Sequence, residues 1–270
     1  MEINWSWGLG RNSRGEMRYV WWHILVAVVL YVTAMASIAA ITAIVKKKRG
    51  EKIEFETRDL TYGAVCLGLA VALSLVRITF LGQGGSITLF SIVPIVIYAY
   101  YFGFVKALPI VISFTLLSLI RNPFIIHPWS FILDYLIPYS ALAFTGVFAY
   151  SKKRYNKILE HNKNTSKFSK KKPIALAHWP VFVSLVLYFA VRFTSHVLSG
   201  VLFFYEWAPA GQSALTYSLI YNASYTVPDT LIALIGLIAL LSSKTFNTFM
   251  ASRRNALQNA DTAHEHNQTA

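Results

Sequence analysis

The chain has 270 residues, 55% hydrophobic and only 14% charged. A soluble domain carries roughly 25% charged residues, and several apolar stretches here reach the roughly 20 residues that cross a bilayer as a helix. A soluble globule is therefore excluded, and the absence of strand-period alternation argues against an outer-membrane barrel.

The formal net charge of +13 raises nucleic acid as a partner, but 19 of the 25 Lys and Arg fall in segments that can share one side of a membrane. That is the positive-inside bias of cytoplasmic loops, with contact to anionic lipid headgroups as its consequence, and no nucleic acid is expected. The lone Cys66 rules out an internal disulfide and reads as a small core residue. No cleavable signal peptide is expected, because the first apolar run is too long for one.

Residues 1–18 form a polar, aromatic segment placed outside. A first span, Tyr19 to Val45, ends at Lys46-Lys47-Lys48-Arg49, which puts the N-terminus outside. A charged cytoplasmic linker, 46–60, follows. The second span, Thr61 to Leu81, exits at the glycine-rich outer loop Gly82-Gln83-Gly84-Gly85-Ser86. The third, Ile87 to Phe104, contains Pro94 and returns inside at Lys106. Leu108 to Ile120 is short for a full span, so it is expected to tilt or re-enter. Trp129 to Tyr150 runs inward. The basic stretch Ser151 to Pro173 shows no apolar period and reads as a cytoplasmic linker. Trp179 to Phe204 runs outward, Tyr205 to Ser213 forms an outer loop, Ala214 to Leu241 runs inward, and 243–270 is a cytoplasmic polar tail.

The expectation is an all-α polytopic membrane protein. One extra N-terminal helix, 19–45, precedes a six-helix membrane domain over 61–242. Trp129, Trp207, Tyr205 and Phe204 mark the outer interface, where aromatic belts form.

Polar residues inside the spans carry the functional signal, since an ionisable group in hydrocarbon is costly. At 1.5 Å per helical residue, Asp134, His196 and Asn222 lie about 9, 12 and 13 Å below the outer ends of their spans, and Tyr217 about 6 Å. Ser218, Asn222 and Tyr225 share one helix face, and Tyr135 and Tyr221 can flank them. A carboxylate, an imidazole, an amide and several aromatics suit a small, planar, nitrogen-rich cation. A second reading pairs Asp134 with Arg77 or Arg121 as structural glue. Arg192 and Asp229 fit a structural interhelical ion pair, since each alone would be costly. Pro228 is expected to kink its helix.

Ala64, Gly68 and Ala72 form a small-residue stripe, used either for packing within the bundle or for docking a separate membrane subunit. No phosphate loop, H-E-x-x-H or G-x-S-x-G motif is present. An intramembrane enzyme would need a nucleophile–base pair or metal ligands, and neither occurs at a recognisable spacing. His264 and His266 read as a solvated tail.

Four segments carry a family resemblance: Gly84-Gly85-Ser86-Ile87-Thr88-Leu89 through Pro94, Phe124-Ile125-Ile126-His127-Pro128, Phe131-Ile132-Leu133-Asp134-Tyr135, and Tyr217-Ser218-Leu219-Ile220-Tyr221-Asn222-Ala223-Ser224. In this order they resemble the thiamine-specific S components (ThiT type) of energy-coupling factor (ECF) transporters, over about Thr61 to Leu241.

The resemblance implies a vitamin-capture subunit and no enzyme. Its ligand is thiamine, or a precursor or other small heterocycle, bound near the extracellular face. It places Asp134, Tyr135, His196, Tyr217, Asn222, Phe204 and Phe124 in the ligand site. It makes Ala64, Gly68 and Ala72 the docking surface for an ECF transmembrane coupling subunit. Two partner ATPases would use the ATP, and this chain would need no cofactor or metal of its own. The Gly84-Gly85 loop is expected to act as a lid, since glycines permit the backbone change.

Three departures stand out: Asp134 where Glu is expected, Phe204 where Trp is expected, and the additional first span. An ion-coupled secondary transporter using Asp134, Asp229 and His196 as proton sites is the alternative from another class.

Overall fold

The computed structural model describes residues 9–11, 17–19, 29, 31–33, 35–42, 44, 55–78, 81, 84–121, 124–125, 127–148, 150–165, 171–250 and 252. A two-stranded antiparallel hairpin, β1 (Leu9–Arg11) and β2 (Met17–Tyr19), precedes an apolar helix, α1 (Tyr31–Thr42). Tyr19, expected to open the first span, pairs instead with Leu9 in the hairpin. The rest of that expected span before Val29 lies outside the described residues. Met35, Ile38 and Ala39 of α1 pack against the core, while Val32 and Ile41 are exposed.

Helix α2 (Thr57–Leu75) opens on the Asp59 carboxylate, which accepts the Glu56 backbone N–H and satisfies one donor that the helix itself leaves unpaired. The helix stops at Leu75, short of the expected Leu81. Strand β3 (Arg77–Ile78) then pairs antiparallel with β4 (Ile87–Thr88), and this ladder takes up the backbone groups that a longer helix would have used.

Helix α3 (Val93–Phe102) is the centre of the molecule, with nine of its ten residues buried. A helix apolar on all sides has to be enclosed. Gly103, at φ +93°, reverses the chain directly into α4 (Phe104–Arg121). Because that turn uses one glycine, the expected loop around Lys106 is absent, Lys106 sits in the first turn of α4, and the fourth helix is longer than predicted.

The fifth span, α5, is a composite. An α-turn (Pro128–Phe131) leads into a π-turn (Ile132–Leu136), an α-turn (Ile137–Ser140) and a 3-10 stretch (Ala141–Phe148). The 3-10 stretch approaches the α3–α4 corner so closely at Gly146 that any Cβ there would collide with the backbone of Gly103 and Phe104.

The stretch expected to be a linker without apolar period is in fact helix α6 (Lys152–Asn164). Its period is Tyr155, Ile158 and Leu159, at i, i+3 and i+4, which face the core while Lys152, Lys153 and Lys157 are exposed. Lys172 is then folded back onto α6, because Asn162 Nδ2 donates to the Lys172 carbonyl (2.8 Å) and its Oδ1 accepts the Lys172 N–H (2.7 Å).

A 3-10 segment (Ile174–His178) feeds α7 (Trp179–Phe203), and α8 (Ala214–Ser242) packs along it. Ser213 caps α8 by accepting the Thr216 N–H. The helix continues through Pro228.

Helices α2, α3, α4, α5, α7 and α8 alternate in direction, so the bundle has one end that carries the β3–β4 hairpin and an opposite end that carries Lys106 and α6. By length and composition four of the described helices can cross a membrane: α2, Trp129–Phe148, Ile174–Phe203 and α8; α3 and α4 are shorter apolar helices. Val186, Leu231 and Ile235 are exposed on the flanks, as they are in a protein solvated by lipid. The chain is an all-α multi-pass membrane protein.

Candidate functional site

The site begins with the π-turn. A π-turn widens one turn of an α-helix and is frequent at functional sites; here it spans Ile132–Leu136, with Asp134 at its middle. The Leu133 carbonyl is not left bare, because Ser195 Oγ of α7 donates to it at 2.5 Å. The next residue of α7 and one a turn further on, His196 and Ser199, hold the Asp134 carboxylate. His196 Nδ1 donates to Oδ1 at 3.0 Å, and Ser199 Oγ donates to Oδ2 at 2.6 Å. Its described partners are therefore on α7, and Arg77, one of the two partners offered by spacing, is exposed in β3, while the side chain of the other, Arg121, lies outside the described residues.

From α8, Asn222 supports the same wall. Its Nδ2 donates to the Ser218 carbonyl (2.9 Å) and the His196 carbonyl (3.3 Å), and its Oδ1 accepts from Tyr225 Oη at 2.6 Å. Contact between α7 and α8 here depends on Gly200, where a Cβ would collide with Ser218 Oγ.

Aromatic rings complete the enclosure. Phe124 and Phe204 stack with centroids 5.8 Å apart. Tyr217, Tyr221 and Tyr225 contact one another in series, at 5.9 and 5.7 Å. Tyr135 Oη accepts the Phe124 N–H at 2.9 Å, which fixes the backbone at Phe124 to α5. The loop from Gly84 forms the rim. Gly84 has φ +83°, and the Gly85 N–H donates to Tyr221 Oη at 3.1 Å.

The cavity contains about 780 Å³ of atom-free space, its open mouth included. Asp134, Tyr135, His196, Tyr217, Asn222, Phe204 and Phe124 all line it. So do Tyr139, Gly200 and Arg192. Arg192 pairs with Asp229, as its depth implied, and it also faces the cavity. Asp134, Arg192 and Asp229 together carry one formal net negative charge, suited to a monocation.

The family described as Thiamine transporter protein (Thia_YuaJ) matches residues 60–249. The chain belongs to this family. Thiamine transporter ThiT of Bacillus subtilis (strain 168) is 33% identical over 180 residues, which cover 66% of this chain and 86% of that protein. A solved structure of ThiT from Listeria monocytogenes shares the fold, with a TM-score of 0.55 at 23% identity over 69% of this chain and 94% of that one. Helix α1 and the last 21 residues lie outside the stretch matched by the thiamine transporter family.

Sequence reasoning missed Tyr139 and Ser199. Tyr139 shares the pocket with Asp134 five residues earlier, a spacing that a π-turn brings to one face and a regular helix does not. Ser199 is three residues beyond His196, on the same helix face; that spacing was the available signal.

At the rim, His127 Nδ1 accepts the Trp129 N–H at 3.1 Å and caps the first turn of α5. Its ring stacks on Phe203 at 4.6 Å. Burial holds the imidazole below its ordinary pKa, so the neutral, capping form is favoured.

The stripe residues Ala64, Gly68 and Ala72 are all exposed, and a Cβ built on Gly68 meets open space. Packing within the described bundle does not use them. Among the described residues, no group of three or more His, Cys, Asp or Glu is placed to hold a metal. His264 and His266 lie outside those residues.

Proposed function

We propose that the chain is the thiamine-capturing S component of an ECF importer. The observation that carries this reading is the pocket: one carboxylate that, among the described residues, is held by His196 and Ser199 and by no Lys or Arg, ringed by aromatics, at the bundle end remote from the exposed lysines of α6.

Asp134 opposes the fixed positive charge of the thiazolium. At about 4 Å and an effective dielectric of about 20 that attraction is on the order of 4 kcal/mol. An ionised carboxylate has about four acceptor positions. His196 and Ser199 take two, which leaves capacity toward the cavity. Tyr217, Tyr135, Phe204 and Phe124 supply ring faces for stacking and cation–π attraction. Asn222 is bonded on both its amide atoms, so it holds His196 and Tyr225 in place while contributing to the wall. Tyr139 and Tyr221 present further hydroxyls for the aminopyrimidine.

The basic end faces the cytoplasm in this reading, by the positive-inside bias. That puts the pocket mouth and the N-terminus outside and the C-terminus inside, in the plasma membrane. The exposed stripe Ala64, Gly68 and Ala72 allows close approach of a helix from the ECF coupling subunit. Two ATPase subunits would consume ATP, and the chain itself acts as a transporter subunit without cofactor or enzymatic activity. The loop from Gly84 to Ser86 closes over the ligand.

Isothermal titration calorimetry of the purified chain with thiamine tests the proposal. Saturable binding that competes with a thiamine precursor supports it. No heat with thiamine, but binding of another pyrimidine, reassigns the ligand. Uptake that needs no ATPase and collapses with an uncoupler sinks the ECF assignment.

A further inference from the structure

The rim loop is attached to the bundle through Asp229. Thr88, at the end of the hairpin, makes two hydrogen bonds to one oxygen of this carboxylate: its backbone N–H at 2.9 Å and its Oγ1 at 2.6 Å, both to Oδ1. The other oxygen, Oδ2, receives the Arg192 guanidinium. Ser91 Oγ lies 2.6 Å from Thr88 Oγ1 and holds the hydroxyl in place. Asp229 is buried, and it divides its two oxygens between a cavity-lining cation and the loop that borders the cavity.

Resting on the thiamine-capture reading, we propose that Thr88 is a positioning residue that latches the rim loop closed and so sets the rate at which ligand leaves. Gly84, Gly85 and Ser86 line the pocket and Thr88 does not. Its side chain acts on ligand through the loop that it ties to Asp229, and any route through Asp229 to Arg192 is told apart by the hydrogen exchange of residues 84–88. When the loop swings away, Asp229 Oδ1 loses two donors while still buried, and an unsatisfied buried carboxylate oxygen is costly. The closed position is favoured because it keeps both donors on that oxygen.

Downstream, the chain is fixed a second time. Phe90 adopts φ +58°, unusual for a non-glycine residue, and its ring packs where a Cβ on Gly236 of α8 would lie. The backbone after Thr88 is thereby held to α8, and the freedom to open is confined to the glycine-containing side. Arg192 reaches the cavity and Thr88 reaches the loop from the same carboxylate, so occupancy of the pocket and closure of its rim share one group.

Thr88→Val removes the hydroxyl and keeps the shape and the backbone N–H; Thr88→Ser restores the hydroxyl. Thiamine dissociation from the purified full chain is followed by stopped-flow displacement. The expected result is a rise in koff of roughly tenfold for Thr88→Val, the loss of one hydrogen bond to a charged group. The on-rate should stay within about twofold, since only one interface is altered, and Thr88→Ser should sit near the wild type. Equal koff in wild type and Thr88→Val overturns the latch, and so does an equal rise in both variants.

A ligand-free arm separates this inference from the thiamine assignment. Amide hydrogen exchange at residues 84–88 is expected to quicken in Thr88→Val and not in Thr88→Ser. Unchanged exchange overturns the latch whatever the ligand is. Absence of thiamine binding by wild type with the exchange difference present overturns the ligand assignment and leaves the latch standing.

Discussion

The two ends of the bundle are built from the same side chains and do different things with them. At the pocket end, tyrosines 217, 221 and 225, His196 and the Arg192–Asp229 pair surround an open cavity. At the opposite end, tyrosines 100, 101, 150 and 155, His178 and the Lys106–Asp59 pair are packed shut. Tyr101 and Tyr150 stack at 4.9 Å, Tyr100 Oη lies 3.1 Å from His178 Nδ1, and His178 is fully buried.

Residue type does not separate a binding site from a structural cluster here. Backbone geometry does. The π-turn at Asp134 and the glycines at 84, 85 and 200 hold the pocket rings around a space. The 3-10 stretch, brought close by Gly146, drives the other rings onto one another.

The largest expected effect tests this difference directly. Asp134→Ala should weaken thiamine binding by about 100-fold or more, since removing one partner of a charged contact costs about 3 kcal/mol. Asp59→Asn at the other end should leave Kd within about threefold while lowering Tm, because it strands Lys106. Calorimetry and thermal unfolding on both variants check this; a large loss of affinity in Asp59→Asn would break the comparison.

Glycine substitutions come next. Gly146→Ala should destabilise the fold by roughly 1–3 kcal/mol through overpacking against the α3–α4 corner, with binding retained in the folded fraction. Gly200→Ala meets Ser218 at the pocket wall, so it should lower affinity as well as Tm. Measuring both quantities for both variants sharpens the contrast.

Tyr221→Phe removes the acceptor for the Gly85 N–H and should cost about 1 kcal/mol, or roughly fivefold in Kd. Tyr100→Phe, its counterpart, should leave Kd unchanged.

The smallest effect is a pH dependence at the rim. His127 has a folded pKa held below its unfolded value of about 6.5. Its contribution is complete above the unfolded value and is lost as pH falls through the folded one. Tm measured from pH 8 to 5 should therefore decline at the acid end. His127→Asn, which caps without titrating, should flatten that part of the profile.

Apolar runs of spanning length, without strand-period alternation, determined that the chain is an all-α membrane protein, because such runs leave no other solvent for their surfaces. The polar residues at matching depths and the four motif segments pointed to one site, and Asp134, His196 and Asn222 do meet in space. Periodicity could also have disclosed α6, through Tyr155, Ile158 and Leu159, but a high density of lysines hid it.

What the sequence could not decide was local helix type and partner choice. An α-helix and a π-turn read alike as apolar runs, yet the wider turn is what brings Tyr139 beside Asp134. Which donors Asp134 takes depends on how α7 is rotated against α5, a long-range packing outcome that spacing along one helix does not encode. The bonds from Thr88 to Asp229 join residues 141 positions apart. Only the folded bundle, by fixing α8 against the hairpin, brings that hydroxyl to that carboxylate.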